Sequence, residues 1–348
     1  AFSSPQKEVV RESIEKTATS ERSEKQKEPS GTEQESLSKD TREAERHQYR
    51  IQNDALGQGG PKEKYRANVA AIQTLKACET EERLATPAEQ EILSGYVGWG
   101  GLPDVFDETK TAWTKEYSEL KQLLTEEEYA AARESTLTAF YTPPMVIRCM
   151  YQALEHMGIT SGNLLEPSCG TGNFIGMKPD SLSQCKTYGV ELDRISGRIA
   201  QQLYQESVIT VQGYEHAELP DNFFDVAIGN VPFGQFKVSD KRYDQHPFLI
   251  HDYFFAKSLD KVRPGGVIAF LTSSGTMDKK NPAIRRYIAQ RAELLGAIRL
   301  PNDTFQKSAG TTVTSDILFL KKREHPIETE PEWLSLDTDE QGIAMNRY

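Results

Sequence analysis

Cysteine is scarce in this chain: 348 residues contain four, Cys78, Cys149, Cys169 and Cys185. No two stand in Cys-x-x-Cys spacing and no histidine pattern accompanies them. They read as reduced thiols, which excludes a disulfide scaffold and a zinc framework. Long apolar runs are lacking as well, and no signal-peptide pattern opens the chain. No membrane span is therefore expected, and a cytoplasmic setting is. A Gly-Lys-Ser/Thr phosphate loop is missing, so the chain is not expected to be a P-loop nucleotidase. An excess of positive charge is lacking too, with a formal net charge of −11. The acidity is uneven, however. Residues 136–325 carry 21 Lys/Arg against 19 Asp/Glu, and the remainder carries −13. The overall sign thus does not exclude a nucleic-acid partner for the near-neutral portion.

Apolar side chains are also rare over residues 1–48, which are rich in Ser, Glu, Lys, Gln and Thr. Such a segment cannot bury enough surface to offset its ordering entropy, and it reads as a disordered or linker arm, dispensable for folding up to about Pro61. Residues 49–135 read as a helical N-terminal region. Tyr65, Val69, Ile72 and Leu75 recur at helical spacing. Thr86-Pro87-Ala88-Glu89 is a capping box with proline at the first helical position, and Thr125 to Glu128 repeats the capping pattern. Between them, Gly95-Tyr96-Val97-Gly98-Trp99-Gly100-Gly101-Leu102-Pro103 is too glycine-rich for a helix. Its aromatics either pack the helices onto the next domain or face DNA.

From Leu137 strands and helices alternate. Strands are expected from Leu164, at Thr187–Glu191, Val208–Val211, Phe224–Ile228, Val267–Thr272, Leu294–Leu300 and Thr314–Leu320, with helices at Asp193–Tyr204 and His246–Val262 among them. Alternation with right-handed crossovers gives an α/β fold with a doubly wound, mostly parallel sheet. The seventh strand follows the sixth so closely that it should run antiparallel. This α/β domain spans 136–325, and 326–348 reads as a C-terminal tail or a linker to a further region.

The chemistry sits at strand ends. The first strand runs into Glu166-Pro167-Ser168-Cys169-Gly170-Thr171-Gly172-Asn173-Phe174, a glycine turn that lets the backbone approach a ligand. Such turns serve ligands at the carboxyl ends of an open sheet, beside the point where strand order reverses. Glu191 closes the second strand, where a carboxylate can accept from both ribose hydroxyls of a nucleoside, with Leu192 beside it. Asp193 is expected to cap the next helix. Tyr214, after the third strand, is placed against a ligand ring. Gly229-Asn230-Val231-Pro232-Phe233-Gly234 follows the fourth strand, and Phe140-Tyr141-Thr142-Pro143-Pro144 precedes the glycine turn.

These strings resemble the N6-adenine DNA methyltransferases. The glycine turn resembles their S-adenosylmethionine loop. Phe140-Tyr141-Thr142-Pro143 resembles the Phe-Tyr-Thr-Pro element of the gamma class of amino-methylating enzymes. Asn230-Val231-Pro232-Phe233 resembles the Asn-Pro-Pro-Phe/Tyr motif. The match covers about Leu137 to Arg323 and implies a seven-stranded Rossmann-like methyltransferase fold with S-adenosylmethionine as cofactor. Phe140, Tyr141, Thr142, the 166–174 turn, Glu191, Leu192, Tyr214 and Asn230 would hold that cofactor, and Asn230 with Val231, Pro232 and Phe233 would form the catalytic turn. An adenine amino nitrogen is a poor nucleophile because its lone pair is delocalised. Accepting both its hydrogens, on the Asn230 side-chain oxygen and the Val231 carbonyl, favours a nitrogen aimed at the methyl sulfonium. The base must arrive flipped out of the duplex, with Phe233 on one face and Phe305 on the other. Lys237, Lys241, Arg242, Lys279, Lys280, Arg285 and Arg286 suit phosphate contact.

Two positions depart from the class: Val231 stands for the first proline, and Gly213 stands where an acid commonly accepts from the cofactor adenine. Closer wording links Tyr-Val-Gly-Trp-Gly-Gly, Gly-Asn-Val-Pro-Phe-Gly, His-Asp-Tyr-Phe-Phe-Ala-Lys and Ile-Arg-Leu-Pro-Asn to the methylase-like domains of large methylase–helicase proteins of conjugative and integrative elements. That resemblance implies a helicase region as partner and a target-recognition region elsewhere. The leading expectation is an adenine-specific DNA methyltransferase acting on duplex or single-stranded DNA. The alternatives are a weak or inactive scaffold serving a fused helicase, or methylation of RNA or protein glutamine. No metal is expected.

Overall fold

The computed structural model describes residues 45–52, 59–136, 142–305 and 313–348. Helices α1 (Pro61–Thr80), α2 (Pro87–Leu93), α3 (Thr114–Leu123) and α4 (Glu126–Ser135) come first. Both capping boxes form: Thr86 Oγ1 accepts from the Glu89 amide, and Thr125 Oγ1 from the Glu128 amide. Then follow α5 (Pro144–His156), β1 (Gly162–Glu166), α6 (Asn173–Gly176), β2 (Cys185–Glu191), α7 (Arg194–Leu203), β3 (Val208–Val211), β4 (Phe224–Asn230), α8 (Ile250–Lys261), β5 (Val262–Ser273), α9 (Gly275–Asp278), α10 (Ala283–Arg291), β6 (Ala292–Arg299) and β7 (Ser315–Lys322). Phe140 and Tyr141 lie outside the described residues.

The seven strands lie in the order β3-β2-β1-β4-β5-β7-β6. All pairings from β3 to β5 are parallel, and β7 runs antiparallel to both β5 and β6. The chain winds outward from β1 to β3, returns to β4 beside β1, and winds the other way. The switch point therefore falls between the ends of β1 and β4, which brings the glycine turn next to Asn230. Central strands are covered on both faces, which is why Leu164, Leu165, Ala227 and Ile228 are all buried. One face packs on α8 and α10 through Leu165, Phe255, Ile268, Phe270 and Ile288. The other packs on α5 through Ile147, Met150, Leu164, Val226 and Ala269.

Two expectations about the flanks need correction. The helical region itself packs onto the α/β domain, the first of the two roles open to the 95–103 aromatics: Ile72, Leu75, Leu93 and Trp99 share one core with Cys169, Ile195, Ile199 and Leu203. The last residues of the presumed arm dock: the His47 amide donates to Gln205 Oε1 at 2.8 Å and the Gln205 amide to His47 O at 3.3 Å, and just beyond it the Tyr49 amide donates to Leu203 O and the Ile51 amide to Gly176 O, each at 2.9 Å. Residues 331–346 are likewise packed, with Trp333 and Leu334 buried and a β8 (Leu336–Thr338) to β9 (Ala344–Asn346) hairpin. The Asn346 side-chain amide donates to Met277 O at 2.9 Å and Trp333 O at 2.8 Å. Short docked segments of this kind carry no periodic signal, so composition alone misses them. A chain beginning at Pro61 should consequently be less stable by about 2–4 kcal/mol, the scale of three lost backbone hydrogen bonds. Urea titration of both chains reads this directly, and identical midpoints would show that the docked segment contributes nothing.

Candidate active site

Backbone geometry builds the site first. Gly170 and Gly172 adopt φ of +56° and +84°. A Cβ on Gly172 would meet the Tyr204 ring at 2.3 Å, so the turn accepts only glycine there. The Gly170 amide donates to Glu191 Oε2 at 2.6 Å, and the Asp193 amide donates to Glu191 Oε1 at 2.7 Å. Asp193 also caps α7, its side chain accepting from the Ser196 amide at 2.9 Å, as expected from the sequence. The Ser168 hydroxyl donates to Asn230 O at 2.9 Å and the Val231 amide to Leu271 O at 3.0 Å. The glycine turn and the 229–234 turn are thus tied across the switch point.

Between them lies a cavity of about 400 Å³, inside the range of roughly 300–1,000 Å³ usual for small-ligand sites. It brings together Thr142, Glu166, Ser168, Cys169, Gly170, Asn173, Phe174, Glu191, Asn230, Val231, Pro232, Phe233 and Phe305. Sequence reasoning missed Ser135, Ser196, Val313, Tyr96 and Gly98 as lining residues, and read Asp193 only as a cap. The glycine-rich loop was the one signal that pointed toward Tyr96 and Gly98.

Two acceptors in the cavity wall are buried without a partner: Glu166 Oε2 and Asn230 Oδ1. Burial, reinforced by the neighbouring Glu191 charge, pushes the Glu166 carboxyl well above the usual carboxylate range. Burial also raises Glu191 to about 7, against the opposing effect of its amide donors. The Cys169 thiol is pushed up by burial as well, which leaves it protonated and a poor nucleophile.

Several expected contacts are not made. Tyr214 does not line the cavity: its ring packs against Phe254 at 4.9 Å, and its hydroxyl lies 3.1 Å from Ser258 Oγ. The short turn after β3 sends it into the core. Leu192 is exposed, and Pro167, Thr171 and Gly172 shape the turn without lining the cavity. Thr142 lies two residues before the start of α5, whose N-cap is Pro143 and has no side-chain cap bond. Arg285 is only 1% exposed, and its guanidinium donates to Leu334 O at 3.0 Å and Lys279 O at 2.8 Å. It clamps the C-terminal segment and is not available to phosphate. Lys279 pairs with the buried Asp252 at 2.6 Å, Arg242 with Asp221 at 2.8 Å and Asp260 at 2.9 Å, and Arg286 with Glu330 at 2.9 Å. Lys237, Lys241 and Lys280 are exposed. The absence of an acid at Gly213 stands: a Cβ there would meet Glu215 Oε1 at 2.1 Å, and neither residue lines the cavity.

The profile of the family described as N-6 DNA Methylase matches residues 122–347. The chain belongs to the N-6 DNA methylase family. It is 30% identical over 268 residues to "Defense against restriction protein B" of Escherichia phage P1, covering 75% of this chain and 10% of that protein. It is 25% identical over 167 residues to "Modification methylase CviBIII" of Paramecium bursaria Chlorella virus NC1A, covering 47% and 43%. The methylase chain thus spans less than half the length of either relative. Among solved structures, the type I restriction-modification system methyltransferase subunit from Streptococcus thermophilus superposes with a TM-score of 0.44 at 14% identity, covering 75% of this chain and 79% of that one.

The methylase fold and family imply S-adenosylmethionine, and the lining residues fit it. Three carboxyl groups, Glu166, Glu191 and Asp193, face the cavity, and no lysine or arginine lines it among the described residues. That set offers acceptors to a ligand bearing hydroxyl and ammonium hydrogens and no cation to hold a phosphate. An ionised carboxylate has about four acceptor sites, so Glu191 retains capacity beyond its two amide donors. Among the described residues no cluster of three metal-ligating side chains occurs, and no helix is long and apolar enough to cross a membrane.

Proposed function

We propose that this chain is the catalytic part of an adenine-specific DNA methyltransferase of the gamma class, acting on the exocyclic N6 of a flipped-out adenine. One observation carries the reading: Asn230 Oδ1 is a buried acceptor without a partner, facing the cavity beside the glycine turn. Leaving an acceptor so buried costs about 1–3 kcal/mol, and in the wall of a ligand-sized cavity a donor from the ligand removes that cost. An amino group is that donor. Asn230 would take one of its hydrogens and the Val231 carbonyl the other, which turns the nitrogen lone pair out of the ring system. Ser168 already donates to the Asn230 carbonyl, so it holds the turn without competing for Oδ1. Phe233 and Phe305, both lining the cavity, supply apolar surface for the two faces of the base. S-adenosylmethionine, when bound, supplies a methyl group activated by its sulfonium. Glu191 would accept from its hydroxyls, and the wall formed by Cys169, Phe174 and Val231 keeps water from the reacting nitrogen.

Recognition of a DNA site and any helicase activity belong, on this proposal, to regions outside this chain. Among the candidate cations, Lys237, Lys241 and Lys280 are left for phosphate, because Arg242, Lys279, Arg285 and Arg286 are engaged. Removing any one of the three should lower the slope of log affinity against log salt by about 1, whatever the DNA sequence. Filter binding at several salt concentrations measures it, and an unchanged slope for all three would move the DNA to another face. The function itself is tested by incubating the chain with labelled cofactor and DNA of mixed sequence, alongside RNA and a glutamine-bearing peptide. Label in N6-methyladenine of DNA supports the reading, and label only in RNA or peptide replaces it.

A further inference from the structure

We propose that loop 95–103 is a ligand-contacting wall of the cofactor end of the cavity, and that Asn68 is the positioning residue that holds it. This rests on the reading of the cavity as the methyl-transfer site. The loop lies outside the residues the family profile matches, 122–347. Yet Tyr96 and Gly98 line the cavity together with Glu166, Gly170 and Glu191. Tyr96 and Trp99 share their hydrophobic core with Cys169 of the glycine turn and Ile195 of α7, which sets the loop against the glycine turn.

Asn68 sits inside α1 and is fully buried. A helix interior gives asparagine no advantage, and a buried amide needs both its donor and its acceptor satisfied. The loop satisfies them. The Asn68 amide nitrogen donates to Gly98 O at 2.6 Å, and the Val97 amide donates to Asn68 Oδ1 at 2.9 Å. One side chain therefore reads the backbone on either side of the Val97–Gly98 link, as a neighbouring strand would. Gly98 takes φ of +68°, a conformation that favours glycine, and the Gly101 amide reaches Thr136 O at 3.5 Å. T-shaped contacts of Trp99 with Tyr96 and with Phe106 brace the loop from behind. The loop is thus fixed at a place where it adds wall, and the fixing device is an amide with no other partner. In this arrangement the upstream helical region does more than pack: it closes the cofactor site.

Two measurements on the whole chain test this, with S-adenosylhomocysteine as the probe. Hydrogen–deuterium exchange of the wild type should slow across 95–103 when the probe binds. Asn68→Ala should bind the probe at least tenfold more weakly in calorimetry while melting in one cooperative transition. In methyl transfer its KM for the cofactor should rise while kcat at saturation stays near wild type, a split that general loss of structure would not produce. Probe binding without protection at 95–103 would overturn the wall, and that outcome needs no variant to fold. Wild-type affinity in a folded Asn68→Ala chain would overturn the positioning role. Binding and loop protection without methyl transfer to any DNA would instead refute the methyltransferase reading and leave the wall standing. No binding by the wild type would overturn both.

Discussion

Replacing Asn230 by alanine should reduce methyl transfer by roughly a hundred- to a thousandfold, the loss seen when one oriented partner of a transition state is deleted, about 3–4 kcal/mol. The argument is geometric. Asn230 is the last residue of β4, so its backbone is held by the sheet, and its carbonyl is held by Ser168. The truncation therefore removes the side-chain acceptor and leaves the turn in place. Because Oδ1 has no protein partner, no internal hydrogen bond is broken and stability should change little. Affinity for S-adenosylmethionine should stay close to wild type, since the carboxylates that suit that ligand lie on β1, β2 and the turn that follows. Calorimetry and rate measurements on the same preparation separate the two effects. Equal losses of binding and rate would assign Asn230 to the cofactor and not to the amine.

Glu191→Ala should weaken S-adenosylmethionine binding by about 1–3 kcal/mol at pH 8, the scale for lost charge-assisted hydrogen bonds. It should also abolish a pH dependence. Burial raises the folded pKa of Glu191 to about 7, above the ordinary value of 4.5. Between those two values the native state binds more protons than the unfolded one. The ligand-free protein therefore loses stability as pH rises through that window, and below it this contribution is constant. Binding runs the other way. Hydroxyl and ammonium donors favour the ionised form, so wild-type affinity should rise as pH climbs through about 7 and level off above it. The alanine variant should be flat across the same range. A wild-type profile that falls with pH would mean that the neutral carboxyl, as a donor, is the binding form.

The sheet was legible because its parallel strands are short apolar runs, each closed by a residue whose chemistry marks the end: Glu166, Glu191, Asn230. The short connection from the sixth strand, with no room for a crossover helix, revealed the antiparallel seventh strand. What stayed hidden depends on partners distant in sequence. Arg285 looked like a surface cation because nothing local shows that Leu334 O lies over it. Tyr214 looked like a ring beside the ligand because the direction of the turn after β3 depends on α8. Residues 45–48 looked like the end of an arm because the few backbone hydrogen bonds that dock them and the residues after them leave no compositional trace. At Gly213 the missing acid was legible, but the crowding of that position by Glu215 was not, since only the folded turn brings the two together.

The central claim is that the amine of a flipped adenine completes the unpartnered Asn230 acceptor. The most direct measurement is mass spectrometry of nucleosides after wild type and Asn230→Ala are each incubated with S-adenosylmethionine and mixed single-stranded and duplex DNA, with a target-recognition region supplied. The account predicts N6-methyladenine from wild type and a hundredfold less or lower from the variant. A wild type that binds the cofactor and methylates no adenine, or a variant that methylates as well as wild type, would contradict it.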